Sequence, residues 1–174
     1  MNLTSSRLHY TQVTQAEKEH YMLWYTNDEV MQHITGKGLT TFEAEARFAK
    51  SLEINERFPN MGFYTAKHRE TGAFVGIAKF TYLDEKQTEV EVGYGMMPEY
   101  WGQGYATEIL CYLMKHAQSF SHVTALVGIV NPENEASVKV LTKQGFKLDR
   151  LVSGEDPVAY YKQELTFAPI PGSI

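Results

Sequence analysis

The spacing of apolar residues changes several times along the chain, and each change marks a boundary between predicted elements. Apolar residues at alternate positions or in short continuous runs predict β-strands, and apolar residues at intervals of three and four predict α-helices. The pattern predicts strands at 8–13, 63–68, 73–82, 88–97, 122–130, 146–151 and 158–167, and helices at 15–25, 27–34, 41–58, 104–120 and 134–144. Strands and helices therefore alternate over most of the chain.

The predicted helix ends carry capping residues. Thr14 with Glu17, and Thr40 with Glu43, have the spacing of a capping box, in which each side chain bonds to the other residue's backbone amide. Gly145 follows the last predicted helix, at a position where a left-handed glycine commonly ends a helix. These residues sharpen three of the predicted helix boundaries.

The order of the elements predicts a mixed sheet flanked by helices, an α+β fold of layered α/β type. The sequence Glu-Thr-Gly at 70–72 predicts a hairpin between the second and third strands. The nearly continuous apolar run at 122–130 is typical of a strand buried on both faces. The strands at 146–151 and 158–167 should form a final antiparallel pair.

Composition limits the choice of fold and partner. A chain of 174 residues, 43% of them hydrophobic, suits one core, and we expect one domain at 1–168 followed by a tail at 169–174. The net charge of -5 gives no electrostatic reason to expect nucleic acid or an anionic membrane as partner. Cys111 is the one cysteine, so no internal disulfide can form. With neither a secretory segment nor a membrane-length apolar run, the expected location is the cytoplasm.

The strongest chemical signal lies at 91–108, which reads EVGYGMMPEYWGQGYATE. A predicted strand runs into Pro98, then a turn containing Gly102 and Gly104, then a helix. Amides in the first turn of a helix lack intrahelical acceptors, so this turn suits an anion such as a pyrophosphate. The alternative is a tight turn that simply needs glycine. The Gly-Lys-Ser/Thr of nucleotide hydrolases and the third glycine of the dinucleotide fingerprint are both missing.

Two blocks of sequence resemble a known family. Residues 91–108 resemble motif A of the GNAT superfamily of acetyl-CoA-dependent N-acetyltransferases, and residues 131–146, NPENEASVKVLTKQGF, resemble motif B. The matching positions in motif B are Asn134, Ser137, Lys143, Gly145 and Phe146. The likeness is closer to the branch that contains ribosomal-protein N-terminal alanine acetyltransferases and spermidine acetyltransferases. The two blocks have the order and spacing of that family.

The resemblance implies how a cofactor would bind. The mixed, mostly antiparallel sheet would split at its third central strand, and the pantetheine arm of acetyl-CoA would lie in the gap along the backbone of Met96 and Met97. Asn134 would contact the same arm. Trp101 stands where the superfamily pattern has Gln or Arg, so phosphate binding would depend on backbone amides. The amides that would hold the pyrophosphate are those of Gly102, Gln103, Gly104, Tyr105, Ala106 and Thr107.

The resemblance also implies catalytic roles. Glu91 matches an acidic position of the branch and would accept the proton of the amine, directly or through a water, although it could equally be a solvated strand residue. The amide of Met97 would stabilise the oxyanion. Leu141 stands where many members carry a tyrosine as general acid. That role would pass to Ser137, which resembles a serine proposed for it in this branch, or be unnecessary.

The acceptor remains open at this stage. Trp24, Tyr25 and Phe42 lie in the region that forms the acceptor side in the family, and they could equally be core residues. The acceptor amine is either a protein N-terminus or a small molecule such as a polyamine. A non-catalytic acyl-CoA-binding or sensing module and a nucleotide-binding protein are the rival interpretations. The six histidines have no ligand spacing, so no metal is expected. The resemblance leaves a homo-oligomer possible, and nothing in these residues shows one.

Overall fold

The computed structural model describes residues 4–165, and in them the predicted alternation of strands and helices is present. The strands are β1 (Leu8–Gln12), β2 (Gly62–His68), β3 (Phe74–Tyr82), β4 (Glu89–Met96), β5 (Ala125–Val130), β6 (Lys147–Val152) and β7 (Val158–Glu164). The helices are α1 (Lys18–Tyr25), α2 (Asp28–Met31), α3 (Thr41–Arg57), α4 (Tyr105–Ala117) and α5 (Glu135–Lys143). Short 3₁₀ turns at Gln15–Glu17 and Pro98–Tyr100 precede α1 and follow β4.

The seven strands form one sheet in the order β1-β2-β3-β4-β5-β7-β6. All neighbouring strands are antiparallel except β4 and β5, which are parallel. The α+β class, the hairpin between β2 and β3 and the final antiparallel pair are therefore confirmed. β4 and β5 pair only from Glu89 to Glu91, so the two strands separate over the remaining length of β4. This separation is the predicted split of the sheet.

Two hydrophobic clusters cover the sheet. The larger contains Phe80 of β3 together with Ile109 and Leu113 of α4, all fully buried. The other contains Ile77 of β3, and residues of α1, α2 and α3 pack around it. Successive side chains of a strand point to opposite faces, so Ile77 and Phe80 place the two clusters on opposite sides of the sheet. The helices are thus divided between two layers.

The capping predictions have different outcomes. At α3, Thr40 Oγ1 accepts a hydrogen bond from the Glu43 amide at 3.3 Å, and Glu43 Oε2 accepts one from the Thr40 amide at 2.8 Å, so this capping box is confirmed. The box predicted for Thr14 and Glu17 is wrong, because the Thr14 side chain makes no capping bond. Glu17 is instead buried, where it accepts a hydrogen bond from Thr65 Oγ1 at 3.0 Å.

Some elements are shorter than the sequence predicts. The helix predicted at 27–34 has only the four residues of α2, with the Asn27 side chain accepting a hydrogen bond from Val30 N. The strand predicted at 122–130 begins at Ala125, and Gly145 ends α5 in the expected left-handed conformation, with φ of 90°. Positions 166 and 167 of the last predicted strand and the tail at 169–174 lie outside the described residues, so the domain boundary stays a prediction. Within residues 4–165 no helix is both long and apolar enough to traverse a bilayer.

Candidate active site

The turn between β4 and α4 presents a row of unused backbone amides. Gly102 and Gly104 adopt φ of 71° and 80°, in the left-handed region that favours glycine. The Glu108 amide donates to the Gly104 carbonyl at 3.1 Å, which is the first hydrogen bond of α4. Within residues 4–165, the six amides at 102–107 donate to no backbone or side-chain acceptor. Together with the positive end of the helix dipole they suit an anion, and we call residues 102–107 the anion-binding turn.

Arg7, immediately before β1, contacts the turn between β4 and α4. Its Nε donates to Glu108 Oε2 at 2.7 Å, and its backbone amide donates to Glu108 Oε1 at 2.6 Å. Its Nη1 donates to the Gln103 carbonyl at 3.0 Å, and its guanidinium lies 3.9 Å from the centre of the Tyr105 ring. A Cβ placed on Gly104 would lie 3.7 Å from Arg7 Nη2, so the remaining donor group is beside the glycine turn. A cation thus lies at the anion-binding turn.

Glu108 is the partner that orients Arg7. Ser5 Oγ also donates to its carboxylate, at 2.6 Å. Burial would raise the pKa of the Glu108 carboxyl, but the hydrogen bonds from Ser5 and Arg7 and the charge of Arg7 hold that pKa below its ordinary value. The carboxylate therefore stays ionised and fixes the guanidinium next to the turn.

The gap between β4 and β5 leaves part of the β4 backbone without a ladder partner. The Met97 amide donates to the Val75 carbonyl at 2.8 Å, and the Leu83 amide donates to the Glu89 carbonyl at 2.9 Å. Hydrogen-bonded residues alternate in an antiparallel pair, so the odd-numbered residues of β4 face β3 and the even-numbered ones face β5. Beyond Glu91 this side of β4 has no paired strand, and Tyr94 and Met96 present backbone groups to the gap.

This geometry corrects one prediction. Because the Met97 amide already donates to Val75, it cannot serve as the oxyanion donor in this conformation. The Met96 amide faces the gap and is the better candidate. Trp101 adds a restraint that the sequence did not reveal, since its Nε1 donates to the Met96 carbonyl at 2.9 Å. The indole therefore ties the end of β4 to the turn that follows.

A cavity of about 680 Å³ runs from the anion-binding turn along the gap to α1, α2 and α3. We call its two parts the cofactor half and the acceptor half. The cofactor half is lined by Tyr94, Met96, Gly102, Gly104, Tyr105, Ala106, Thr107, Asn134 and Ser137. The acceptor half is lined by Trp24, Tyr25, Glu29, His33, Arg47 and Lys79. Glu91 lines the same cavity, so the predicted base, the anion-binding turn and two of the three predicted acceptor residues are brought together.

Glu91 lies on β4 and pairs with Lys79 of β3. Lys79 Nζ is 2.5 Å from Glu91 Oε2, and 16% of the Glu91 side chain is exposed. Glu91 is therefore a partly buried, charge-paired residue of the cavity wall, and not a freely solvated strand residue.

The predicted residues of α5 are held by a local network. The Asn134 side chain caps α5 by accepting a hydrogen bond from the Ser137 amide at 3.1 Å. The Tyr94 hydroxyl donates to the Ser137 carbonyl at 3.2 Å. Burial raises the pKa of Tyr94, which makes its phenol a poor proton donor to a thiolate. Leu141 is buried, with its side chain against Gly128, and has no polar group to offer.

The predicted acceptor residues separate into two groups. Trp24 and Tyr25 are buried, with 5% and 7% of their surface exposed, and both line the acceptor half. Trp24 lies so close to β4 that a Cβ on Gly95 would overlap its ring. Phe42 is 81% exposed and lies outside the cavity, so its assignment to the acceptor wall is wrong. Phe42 is in the first turn of α3, on the side of the helix that faces away from the core.

Sequence reasoning missed Arg7, Arg47, Lys79 and Tyr94. Only Tyr94 lies within a recognised motif, where the alternation of β4 places it on the side opposite the β3 ladder. The other three are charged residues in segments without a motif, and their positions depend on the packing of distant elements. Within residues 4–165 no group of three or more His, Cys, Asp or Glu side chains could hold a metal ion.

Comparison with known proteins assigns this arrangement. The model of the acetyltransferase (GNAT) domain matches residues 7–147, which include both the anion-binding turn and α5. The chain belongs to the GNAT acetyltransferase family. Because this match covers most of the chain, the protein is an acetyltransferase. An uncharacterized N-acetyltransferase of Bacillus subtilis, YoaA, is 25% identical over 145 residues, which is 83% of this chain and 82% of YoaA.

Solved structures share the fold at low sequence identity. RimL, a ribosomal L7/L12 α-N-protein acetyltransferase in complex with coenzyme A, has a TM-score of 0.80 and 15% identity over 94% of this chain and 97% of RimL. Spermidine N-acetyltransferase from Vibrio cholerae, in complex with coenzyme A and spermine, has a TM-score of 0.74 and 13% identity. That match covers 91% of this chain and 95% of the Vibrio protein. At these identities the likeness shows the fold alone.

Proposed function

We propose that this protein transfers an acetyl group from acetyl-CoA to a primary amine by direct attack in a ternary complex. The observation that carries the proposal is a single cavity that joins five of the six residues with unused amides at 102–107, the gap beside β4 and the carboxylate of Glu91. An anion site, a groove for an extended chain and a base are the three parts that this reaction needs. The acetyl group would lie where the cofactor and acceptor halves meet.

The cofactor half fits coenzyme A in two places. The amides of Gly102, Gln103, Gly104, Tyr105, Ala106 and Thr107 would donate to the diphosphate. Arg7 would add the side-chain cation that Trp101 does not supply. The backbone of Tyr94, on the same open side of β4 as Met96, would bond to the pantetheine arm as if to an added strand. Asn134 lines the same stretch of the cavity, and its unused amide hydrogens would contact that arm.

The chemistry would proceed at the boundary of the two halves. The amine must lose a proton to attack, and Glu91, which pairs with Lys79 in the cavity wall, would accept that proton directly or through a water. The Met96 amide would stabilise negative charge on the thioester oxygen. Ser137 would hydrogen-bond to the departing sulfur, although a thiolate is a good enough leaving group that a strong acid is unnecessary.

Release of free thiol from acetyl-CoA in the presence of a panel of amines tests the proposal. The panel should include peptides with free N-termini, amino acids and polyamines, with acetylated products identified by mass spectrometry. The rival interpretation, a non-catalytic acyl-CoA-binding module, predicts affinity for coenzyme A without thiol release. A nucleotide-binding protein would instead prefer ATP or NAD to coenzyme A in calorimetry.

A matched pair of substitutions then tests the base. Glu91→Gln should lower kcat about 100-fold, the lower end of what a general base contributes, and leave coenzyme A affinity nearly unchanged. Glu89→Gln is the control, because Glu89 is two residues away on β4 and also pairs with a lysine, Lys162, at 2.7 Å. Glu89 does not line the cavity. Equal turnover in Glu91→Gln and the parent protein would remove Glu91 from the mechanism.

A further inference from the structure

Arg47 brings an unpaired cation to the acceptor half. It lies on α3, where its side chain is exposed and lines the cavity. No carboxylate of residues 4–165 lies within ion-pair distance of its guanidinium. The acid one helical turn before it, Glu43, already accepts hydrogen bonds from the backbone and side chain of Thr40. The guanidinium is therefore available to a ligand.

Tyr25 is a neighbour of Arg47 in the cavity that the proposed base, Glu91, also lines. The Arg47 guanidinium carbon is 5.7 Å from the centre of the Tyr25 ring. Burial raises the pKa of the Tyr25 phenol, the positive charge of Arg47 lowers it and the negative charge of Glu91 raises it. Tyr25, Arg47 and Glu91 all line the same cavity. A small molecule whose amine reaches Glu91 would extend along this cavity toward Arg47.

Two hydrogen-bonding groups left over in the acceptor half, the indole of Trp24 and the guanidinium of Arg47, carry donors and no acceptor. The buried Trp24 Nε1 has no partner among the described residues, and the five N–H groups of Arg47 have no carboxylate. Lys79 and Glu91 satisfy each other, which leaves Glu29, an exposed residue, as the free acid of this half. A polyamine brings only donors and positive charge, whereas a carboxylate brings acceptors and negative charge. The indole and the guanidinium complement the carboxylate.

We propose that the acceptor carries a carboxylate on the same molecule as the primary amine, and that Arg47 binds this carboxylate. The inference rests on the proposed acetyl transfer and narrows its acceptor to amino-acid-like amines. Arginine suits the role because its planar donors match the two oxygens of a carboxylate. Arg47 would thus be a specificity-determining residue, and polyamines would be poor acceptors.

Pairs of acceptors that differ only in the carboxylate test this inference. Glycine and glycinamide, β-alanine and β-alaninamide, and a glutamate-containing dipeptide with its glutamine counterpart separate a free amino acid from a peptide as the source of the carboxylate. We expect kcat/KM to favour the carboxylate member of at least one pair about tenfold, with spermidine below both members. Arg47→Ala should abolish this ratio, and Arg47→Lys should restore part of it.

Arg57→Ala is the matched control for Arg47→Ala. Arg57 is an exposed arginine on the same helix that lies near an aromatic ring, that of Phe58, at 5.0 Å, but it does not line the cavity. Its substitution should leave the carboxylate preference as in the parent protein. Turnover without a carboxylate preference, or a preference that survives Arg47→Ala, would overturn this inference alone. Failure of every amine to release thiol would overturn the proposed acetyl transfer with it.

Discussion

In the cofactor half of the cavity the groups offered to a ligand are mostly backbone amides, whereas in the acceptor half they are side chains. The amides at 102–107 come from one continuous segment that follows β4. The side chains of Tyr25, Arg47 and Lys79 come from α1, α3 and β3, which are far apart in the sequence. One half therefore depends on local backbone conformation, and the other depends on how separate elements pack.

This difference explains why a cofactor is easier to infer than an acceptor. A backbone amide presents the same donor whatever the side chain, so the binding chemistry of the turn depends on its conformation. That conformation requires glycine where φ is positive. In the acceptor half, each substitution changes the chemistry offered to a ligand. Neighbours of the same fold accordingly include RimL, an α-N-protein acetyltransferase, and a spermidine N-acetyltransferase.

The largest effect is expected where the backbone of the cofactor half is altered. Gly104→Val places a β-branched residue at φ of 80°, in the middle of the row of unused amides, with its Cβ beside Arg7 Nη2. We expect kcat/KM for acetyl-CoA to fall about 100-fold, equivalent to about 3 kcal/mol of lost binding. Steady-state kinetics and calorimetry with coenzyme A measure this loss.

Gly72→Val is the control for backbone strain. Gly72 has φ of 72° in the turn between β2 and β3, and an added Cβ would meet no atom within 4 Å. Both substitutions should cost about 1–2 kcal/mol of unfolding free energy. Only Gly104→Val should weaken coenzyme A binding. Similar losses of binding in the two variants would mean that the backbone of the turn has no special role, and the contrast between the halves would fail.

A smaller effect is expected from Arg7, the cationic side chain beside the glycine turn. Arg7→Ala should raise KM for acetyl-CoA about tenfold while kcat changes little, because the guanidinium both steadies the Gln103 carbonyl and lies beside Gly104. KM for S-acetyl-pantetheine, which has no diphosphate, should stay as in the parent protein. The difference between the two thioesters is the measurement.

Arg69→Ala separates this role from a general loosening of the N-terminal segment. Arg69 Nη1 donates to the carbonyls of Ser5 and Ser6 at 3.1 and 3.2 Å, so it holds the segment that carries Arg7 without contacting the turn. Its substitution should leave both KM values nearly unchanged. If KM rose equally for both thioesters in Arg7→Ala, Arg7 would act on the fold and not on phosphate recognition.

The contrast between the halves also describes what the sequence could reveal. Gly102, Gly104 and Asn134 were predicted at the cofactor site because they belong to contiguous motifs, and the structure places all three on the cavity wall. The Met97 amide was assigned wrongly because the choice between Met96 and Met97 depends on which residues of β4 bond to β3. That register is set by pairing with a strand some 20 positions earlier.

Charged residues outside a motif could not be predicted from the sequence, because their positions also depend on the packing of distant elements. Arg47 and Lys79 have no local feature that distinguishes them from solvated lysines and arginines. Phe42 was expected in the acceptor wall because it is aromatic and near the correct segment. Its orientation depends on the rotation of α3, which Ala44 and Phe48 set by turning their own side of the helix toward the core.

The smallest effect is expected from Glu108, whose carboxylate orients Arg7 beside the cofactor half. Because hydrogen bonds from Ser5 and Arg7 hold the pKa of Glu108 below its ordinary 4.5, the unfolded chain takes up a proton at this group first as the pH falls. The stability that Glu108 contributes is therefore present at neutral pH and is lost as the pH falls from about 4.5 through the lower folded pKa.

Glu108→Gln should cost about 1–2 kcal/mol of unfolding free energy at pH 7, and this gap between the variant and the parent protein should narrow in acid. Urea unfolding of both proteins at several pH values measures the gap. A gap of constant size would mean that the shape of the side chain, and not its charge, orients Arg7, and the cofactor half would then depend on packing as much as the acceptor half does.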